Sequence, residues 1–522
     1  MKPARPRRAA EAAVLALVFT CFYVAIARGT LVFGDDVLMF QVTESLCARG
    51  GFDVSAPLAE DSPVRPVAGR DGARYAKYGI GLSLAAVPFD AAGRWLEARG
   101  ARLPETPDAA GNLRTGTRVY AVHLTNAAIG GATVALLFLL ATAAGYSPGV
   151  AALTAAALGG ATVFAHSTTT FLSEPLSALA LTLASWALAE ALATGREARF
   201  GTLAWLALSG CAAGLALATR IANLVALLPL GVWLVVGLAR AAGPAGARFA
   251  RAAAWAVPFA AWAAAVAAYD VARFGSPFET GYGAEAGEFS HPLGTGLAGL
   301  LVSPGRGLLW YAPPVVMALA GWRGCHRRHP ALAKTAAAMS AALLLLAAKF
   351  YQWHGGGVWG PRLLVPVLPL LVLPAAEVFT RAAAGSRASR WLAGGCLAAG
   401  VFTVGLAVLV PFERSVQPAW REPRDLASPA LRDSLWWPPS SPLVVHAREL
   451  PAAIPRTLRL LAGAEPMPGP TQKGEPGLPD LAFARYGSHA LLQVARAGLL
   501  GAAAGAWLLF RMLRRRARLP AD

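Results

Sequence analysis

Residues 78–93, "YGIGLSLAAVPFDAAG", decide how the chain is threaded. The run is apolar, but it is about 16 residues long and contains Pro88 and Asp90. A membrane span needs roughly 20 residues, with about 17 at the low end. If 78–93 crosses a membrane, every later connection changes side. If it lies along the surface, the basic residues sort cleanly. One side then holds Arg196, Arg199, Arg240, Arg248, Arg251, Arg323, Arg327, Arg328, Lys334, Arg381, Arg387, Arg390, Arg511, Arg514, Arg515, Arg516 and Arg518. The short connections on the other side hold Arg220, Arg273, Arg306, Lys349 and Arg362. Short cytoplasmic loops carry the excess of Lys and Arg. The segment therefore reads as an interfacial or re-entrant helix within a long first outer loop, 31–118.

The composition sets the class. The 522 residues are 56% hydrophobic and 15% charged, with a mean hydropathy of +0.48. A soluble core of this size does not need so much apolar residue, so a polytopic, all-α membrane protein is expected. The net charge of +18 sits in short connections and does not point to nucleic acid. Apolar runs fall at 10–30, 119–144, 149–166, 171–193, 200–219, 221–239, 252–271, 307–322, 331–348, 363–379, 391–411 and 489–510. That predicts about 12 spans with both termini cytoplasmic. The run 307–322 is short, and Pro313-Pro314 should kink it. The Arg- and Ala-rich composition fits a GC-rich bacterial genome, hence a bacterial inner membrane. The basic, apolar N-terminus reads as an uncleaved first span. Five scattered cysteines show neither disulfide nor metal spacing.

On this topology the unusual residues gather on the outer side. They are "GDDVLMF" (34–40), "ARYAKYGIG" (73–81), "HSTTTFLSEP" (166–175), "ATR" (218–220), "RFGSPFETGYG" (273–283), "SPGRGLLWYAPP" (303–314) and "KFYQWHGGGVWGPR" (349–362). Acids, glycine turns, aromatics and lone arginines on one face make a site there. Each has a plainer alternative. Asp35 and Asp36 could cap a helix, and Glu174 could be a first-turn acid favoured by the helix dipole. Arg220 could snorkel to the surface, and Arg306 could touch only headgroups. His123 and Asn126, one helical turn apart, either line a cavity or satisfy helix contacts. The three glycines flanked by Trp353 and Trp359 are harder to dismiss, because such a run suits a backbone that approaches a ligand closely. Val37 to Phe40 would anchor the acids at interface depth.

A carboxylate, several cations and a membrane-level cavity suit transfer from a lipid-linked sugar phosphate. The acceptor hydroxyl or amine needs a base, and the departing lipid phosphate needs arginines. No nucleotide-binding phosphate loop is present. The adjacent acids could also share a divalent cation (Mg, Mn or Ca). A transporter or flippase for a lipid-linked sugar is the alternative. It would need charges deep in several spans, which are sparse here, and related halves, which are not visible.

"GDDVLMF", "KYGIGLSLAAVPF", "FLSEP", "SPGRGLLWYAPP" and "WHGGGVWGPRLLVPVLP" together resemble the GT-C superfamily of integral membrane glycosyltransferases. The likeness is to the bacterial branch similar to protein O-mannosyltransferases and the lipid A aminoarabinose transferase, over about 10–410. The resemblance implies a GT-C-like helical bundle and a polyprenyl-phosphate sugar donor. It also implies inversion at the anomeric centre, with Asp35 or Asp36 as base. Asp35 is preferred because it is nearer the end of the first span and so better fixed. The acceptor would be a lipid, a protein or a glycan. Arg306, Arg362, Arg220, Lys77 and His354 are the candidates for the donor phosphate. Glu174, Tyr78, His123, Trp310, Tyr311, Trp353, Gly356 and Trp359 are the candidates for the substrate cavity. The expected organisation is a catalytic module over 1–411, an outer segment of unreadable chemistry over 412–488, and a last span with a basic tail over 489–522.

Overall fold

In a computed structural model the described residues are 5–54, 65–109, 111–193, 199–411, 428–468, 475 and 477–517. Arg196 and Arg518 of the loop-charge count lie outside them, as do 412–427, 469–474 and 476 of the expected outer segment.

The chain is helical almost throughout. Helix α1 (Arg5–Ala25) leads into α2 (Gly34–Arg49), α3 (Gly81–Ala98), α4 (Gly116–Ala143), α5 (Pro148–Ala161) and a single turn, α6 (Phe164–Ser167). Then come α7 (Glu174–Leu192), α8 (Arg199–Thr219), α9 (Leu224–Arg240) and α10 (Ala245–Phe274). Helices α11 (Leu293–Val302), α12 (Leu308–Tyr311), α13 (Pro314–Arg328) and α14 (Pro330–Lys349) follow. After a broken run with α15 (Leu368–Val372) and α16 (Ala376–Ala383) comes α17 (Arg387–Leu409). The chain closes with α18 (Pro429–Trp436), α19 (Pro442–Ala462), α20 (Ala482–Tyr486) and α21 (His489–Ala517). Among the described residues the strands form two small antiparallel hairpins, Val67–Ala68 with Arg74–Tyr75 and Thr106–Pro107 with Leu113–Arg114.

Among the described residues, ten helices are long and apolar enough to cross a membrane, so this is a multi-pass membrane protein. The expected count of twelve is not reached by length. The run at 149–166 forms only the 14 residues of α5, about 21 Å at 1.5 Å per residue. Ser147 starts it, its Oγ accepting the Val150 N–H at 3.4 Å. The run at 307–322 splits, as its proline pair suggests: α12 stops at Tyr311 and the 15-residue α13 starts at Pro314. The segment 78–93 becomes α3 and is not among the ten.

Two features position the site. The span Arg362–Ala383 is 83% buried but broken, because Pro366, Pro369 and Pro374 lack N–H donors and the chain tightens into 3-10 turns around α15. Its first residue is Arg362. By contrast, α10 is only 6% buried and sits at the periphery, packed along α8. The second feature is a separate apolar core joining α2, α3, α4 and the 171–176 turn. Val37, Leu38, Met39 and Phe40 are all buried in it. They tie the acids to the protein core. Burial of each such side chain contributes about 1.5–3 kcal/mol, so this core holds the first turn of α2 firmly.

Candidate active site

The two adjacent aspartates do different things. Asp36 is fully buried at the third position of α2. Its carboxyl oxygens accept the N–H groups of Val32 and Phe33, each at 3.1 Å, closing the half of a capping box that reaches back from the helix. Burial pushes this carboxyl well above the usual range in spite of those two amides, and the neighbouring Asp35 charge adds to the rise.

Asp35 turns the other way, with its side chain 29% exposed. Tyr78 Oη donates to Oδ1 at 2.6 Å, and Arg362 Nη2 donates to Oδ2 at 3.0 Å. Burial works to raise the Asp35 carboxyl. The Arg362 guanidinium and the Tyr78 hydroxyl outweigh it, with help from Arg220, and hold it below the usual carboxylate range. Asp35 is therefore ionised at neutral pH. The Tyr78 hydroxyl, raised by burial and by Asp35, stays protonated as its donor.

Glu174, at the first position of α7, lies 3.7 Å from Arg362 Nε and is ion-paired to Arg220. It is both the first-turn acid and the bridge between two arginines. Asn126 helps to place it, donating to the carbonyls of Thr170 (2.6 Å) and Leu172 (2.9 Å) in the turn before α7. Two acids and two arginines from four distant segments thus meet in one cluster. Glu174 Oε2 and Arg362 Nε are buried there without a hydrogen-bond partner. Buried polar atoms left open are costly and mark a place where a ligand can bind.

Glycines make the close approaches. A Cβ on Gly79 would lie 2.4 Å from the Ala218 carbonyl oxygen, and one on Gly81 would lie 2.5 Å from Thr219 Oγ1. The "KYGIG" turn therefore seats directly on the end of α8, beside Arg220. Gly355 has φ +75°, and a Cβ there would lie 2.8 Å from Arg362 Cγ. Gly356, the position expected to matter, has φ +77° with open space where a Cβ would go.

A crevice opens beside the cluster. Lys77, Tyr78, Arg220 and Tyr282 line its polar side, and Leu217, Ile221 and Val266 its apolar side. Lys77 is paired with Glu285 at 2.5 Å and sits over the Tyr282 ring. Tyr282 was not singled out in the sequence: "TGYG" carries no pattern that distinguishes it from a turn.

Several expected site residues sit elsewhere. Arg306 is fully buried and donates to the carbonyls of Gly305 (2.7 Å), His354 (3.0 Å) and Gly356 (3.0 Å), bracing the glycine turn. His354 accepts the Gly356 N–H at 3.1 Å. Burial first, and then the charges of Arg306 and Arg362, pull it down to about 3, so it is neutral and offers no charge to a phosphate. His123 is buried, its Nδ1 2.8 Å from the Val119 carbonyl oxygen of its own helix. Tyr311 and Trp359 pack edge to face at 5.2 Å inside the main core, and Trp359 also stacks near His446. Trp353 is buried beside Gly299, His291 and Trp436. Trp310 is 53% exposed and donates to the Val302 carbonyl at 2.8 Å. The shared metal site does not fit either. Every carboxylate oxygen of Asp35 and Asp36 already faces a donor, and the two side chains have different partners.

No family model matches the sequence, and no curated protein matches it. Solved structures do. The crystal structure of ArnT from Cupriavidus metallidurans bound to undecaprenyl phosphate matches with TM-score 0.51 and 15% identity, over 95% of this chain and 77% of that one. The fold is the GT-C fold. Two further GT-C proteins match less closely. The S. cerevisiae protein O-mannosyltransferase Pmt1-Pmt2 complex bound to the sugar donor has TM-score 0.35 and 15% identity, over 53% of this chain and 35% of that one. The Archaeoglobus fulgidus oligosaccharyltransferase has TM-score 0.46 and 13% identity, over 77% and 55%. In the GT-C fold of this chain, the Asp35 cluster lies where the first turn of α2, the start of α7, the end of α8 and the glycine turn before Arg362 converge.

Proposed function

We propose that this protein transfers a sugar from a polyprenyl-phosphate donor to a hydroxyl or amine at the outer face of a bacterial inner membrane, inverting the anomeric centre. One observation carries the reading. Asp35 is the partly exposed carboxylate of a cluster whose second acid, Glu174, holds two arginines in place. The GT-C fold shared with an ArnT bound to undecaprenyl phosphate supports it.

The chemistry follows from the exchange of partners. In this structure the two arginines are balanced by Asp35 and Glu174. A donor phosphate brings a competing anion, and Arg362, with its open Nε, can turn from Asp35 to the phosphate oxygens. Asp35 then loses the charge that held it down, and its proton affinity rises as the acceptor arrives. The acceptor oxygen or nitrogen attacks the anomeric carbon, Asp35 takes its proton, and the bond from carbon to phosphate oxygen breaks. The electron pair leaves on the lipid phosphate, where Arg362 and Arg220 stabilise the growing charge. The crevice beside Tyr78 and Tyr282 takes the sugar, and its apolar side faces the lipid stem. Residues 1–411 are the catalytic module in this reading.

Purified protein in liposomes carrying an undecaprenyl-phosphate-linked sugar should release undecaprenyl phosphate when an acceptor is present. The Arg362→Ala variant should lose both donor binding and turnover. Wild-type donor binding and turnover in that variant would remove Arg362 from the phosphate site. Flux of the lipid-linked sugar across the bilayer without covalent product would overturn the reading.

A further inference from the structure

The segment after 475, in which the sequence shows no chemistry, is seated against the turn that leads into α2. Asp480 and Arg28 form an ion pair buried to 3% and 1% exposure, with Arg28 Nε 2.7 Å from Asp480 Oδ2. Arg485 closes on the other carboxylate oxygen. The Asp480 N–H donates to the Val408 carbonyl at 3.2 Å, which fixes the segment to the end of α17. The Ala482 N–H donates to the Ala27 carbonyl at 2.9 Å, and Tyr486 Oη donates to the Gly29 carbonyl. Gly29 has φ +72°, and a Cβ there would lie 3.4 Å from the Tyr486 ring and 2.9 Å from Tyr120. The turn 27–30 is therefore gripped by side chains and backbone from more than 440 positions along the chain. Three residues further on, Val32 and Phe33 donate to Asp36, and Asp35 is the next side chain of that same turn.

We propose that Asp480, Arg28 and Tyr486 are positioning residues that set Asp35 against Arg362 by clamping the turn 27–30. A buried ion pair is a poor source of stability, since apolar residues of similar volume often do as well or better. What a pair with two fixed carboxylate partners supplies is geometry. The clamp rests on Asp35 being the base, but it can be tested apart from that assignment.

The test uses the full chain in detergent or liposomes, with Tyr486→Phe and the triple variant Arg28→Met/Asp480→Leu/Arg485→Met. The first removes one hydroxyl, and the second replaces all three charges of the buried cluster by apolar groups and so keeps the fold within reach. Hydrogen exchange should rise about tenfold or more in peptides covering 30–38 and stay unchanged in the long spans. For transfer from undecaprenyl-phosphate sugar, kcat should fall about tenfold or more while the donor KM stays within about twofold. The acid limb of kcat/KM, which reports the free protein, should move up, because Asp35 loses its alignment with Arg362. Exchange at 30–38 that matches wild type, or rises evenly over all spans, would overturn the clamp. So would wild-type kcat and pH profile per folded molecule. If the wild-type protein performs no transfer, the base assignment fails, and a rise confined to 30–38 still upholds the clamp on the turn.

Discussion

At the scale of single residues, "Asp-Asp" conceals a division of labour. Asp36→Ala would leave two partly buried N–H groups, of Val32 and Phe33, without their acceptor. The expected cost is about 0.5–2 kcal/mol, read as a lower melting temperature with the protein still able to bind donor. Gly355→Ala should do the opposite. Its Cβ would push on Arg362 Cγ from a backbone at φ +75°, so turnover should fall by roughly ten- to a hundredfold with little change in melting. Wild-type turnover in Gly355→Ala would show that Arg362 need not sit where it does. The pH profile has a definite sign. The Asp35 carboxyl is lowered, so its ion pair stabilises the fold above the unfolded carboxylate pKa and is lost as pH falls through the folded value. The ionised form persists across the ordinary carboxylate range, about pH 4 and above. The acid limb of kcat/KM, which reports the free protein, should therefore fall only below that range, and Tyr78→Phe should move it upward. An acid limb at the same pH in both proteins would contradict the pairing. The acid at position 35 was legible in the sequence. Its partner 327 positions away was not, because nothing local in "GPR" encodes which carboxylate it meets.

At the scale of elements, the stretch that decided the threading also builds the site. Helix α3 is not among the helices long and apolar enough to span. Its Asp90 is buried under Arg94 (2.8 Å) and Arg118 (2.9 Å), which ties the helix to α4 by charge. Its glycine-rich start is a packing device against α8. Gly81→Val should force "KYGIG" off Thr219 and displace both Tyr78 and Arg220. Donor binding and turnover should both drop by about tenfold or more, while the helix content read by circular dichroism stays near wild type. Unchanged binding would show that the close contact with α8 is not what places Arg220. The sequence showed glycine, aromatic and arginine turns on one side of the chain, but it could not separate those that face a ligand from those that hold a turn. Arg306 and His354 belong to the second kind, because the glycine turn's own carbonyls and amides occupy their polar atoms. That distinction lies in three-dimensional hydrogen bonding, which spacing along a chain does not carry.

At the scale of the whole molecule, hydropathy alone read the all-α, multi-pass bundle correctly, because satisfying every backbone group within a helix leaves long apolar runs as the visible signature. Its count of about 12 goes beyond the ten helices of spanning length where apolar runs are short or proline-broken, as at α5 and at 307–322. The orientation can be checked directly. In a cysteine-free background, Phe278→Cys lies on a loop tip that is 93% exposed and should react with a membrane-impermeant maleimide in intact cells stripped of their outer membrane. A cysteine at Arg511, on the basic final helix, should react only after lysis. The reverse pattern would put the Asp35 cluster on the cytoplasmic side. The central claim is that Asp35 is a base which competes with the donor phosphate for Arg362. The most direct measurement is turnover and donor affinity of Asp35→Asn beside wild type. Turnover should fall by about a hundredfold or more while undecaprenyl phosphate binds at least as tightly, since the competing charge is gone. Turnover that survives, or binding that is lost with it, would contradict the account.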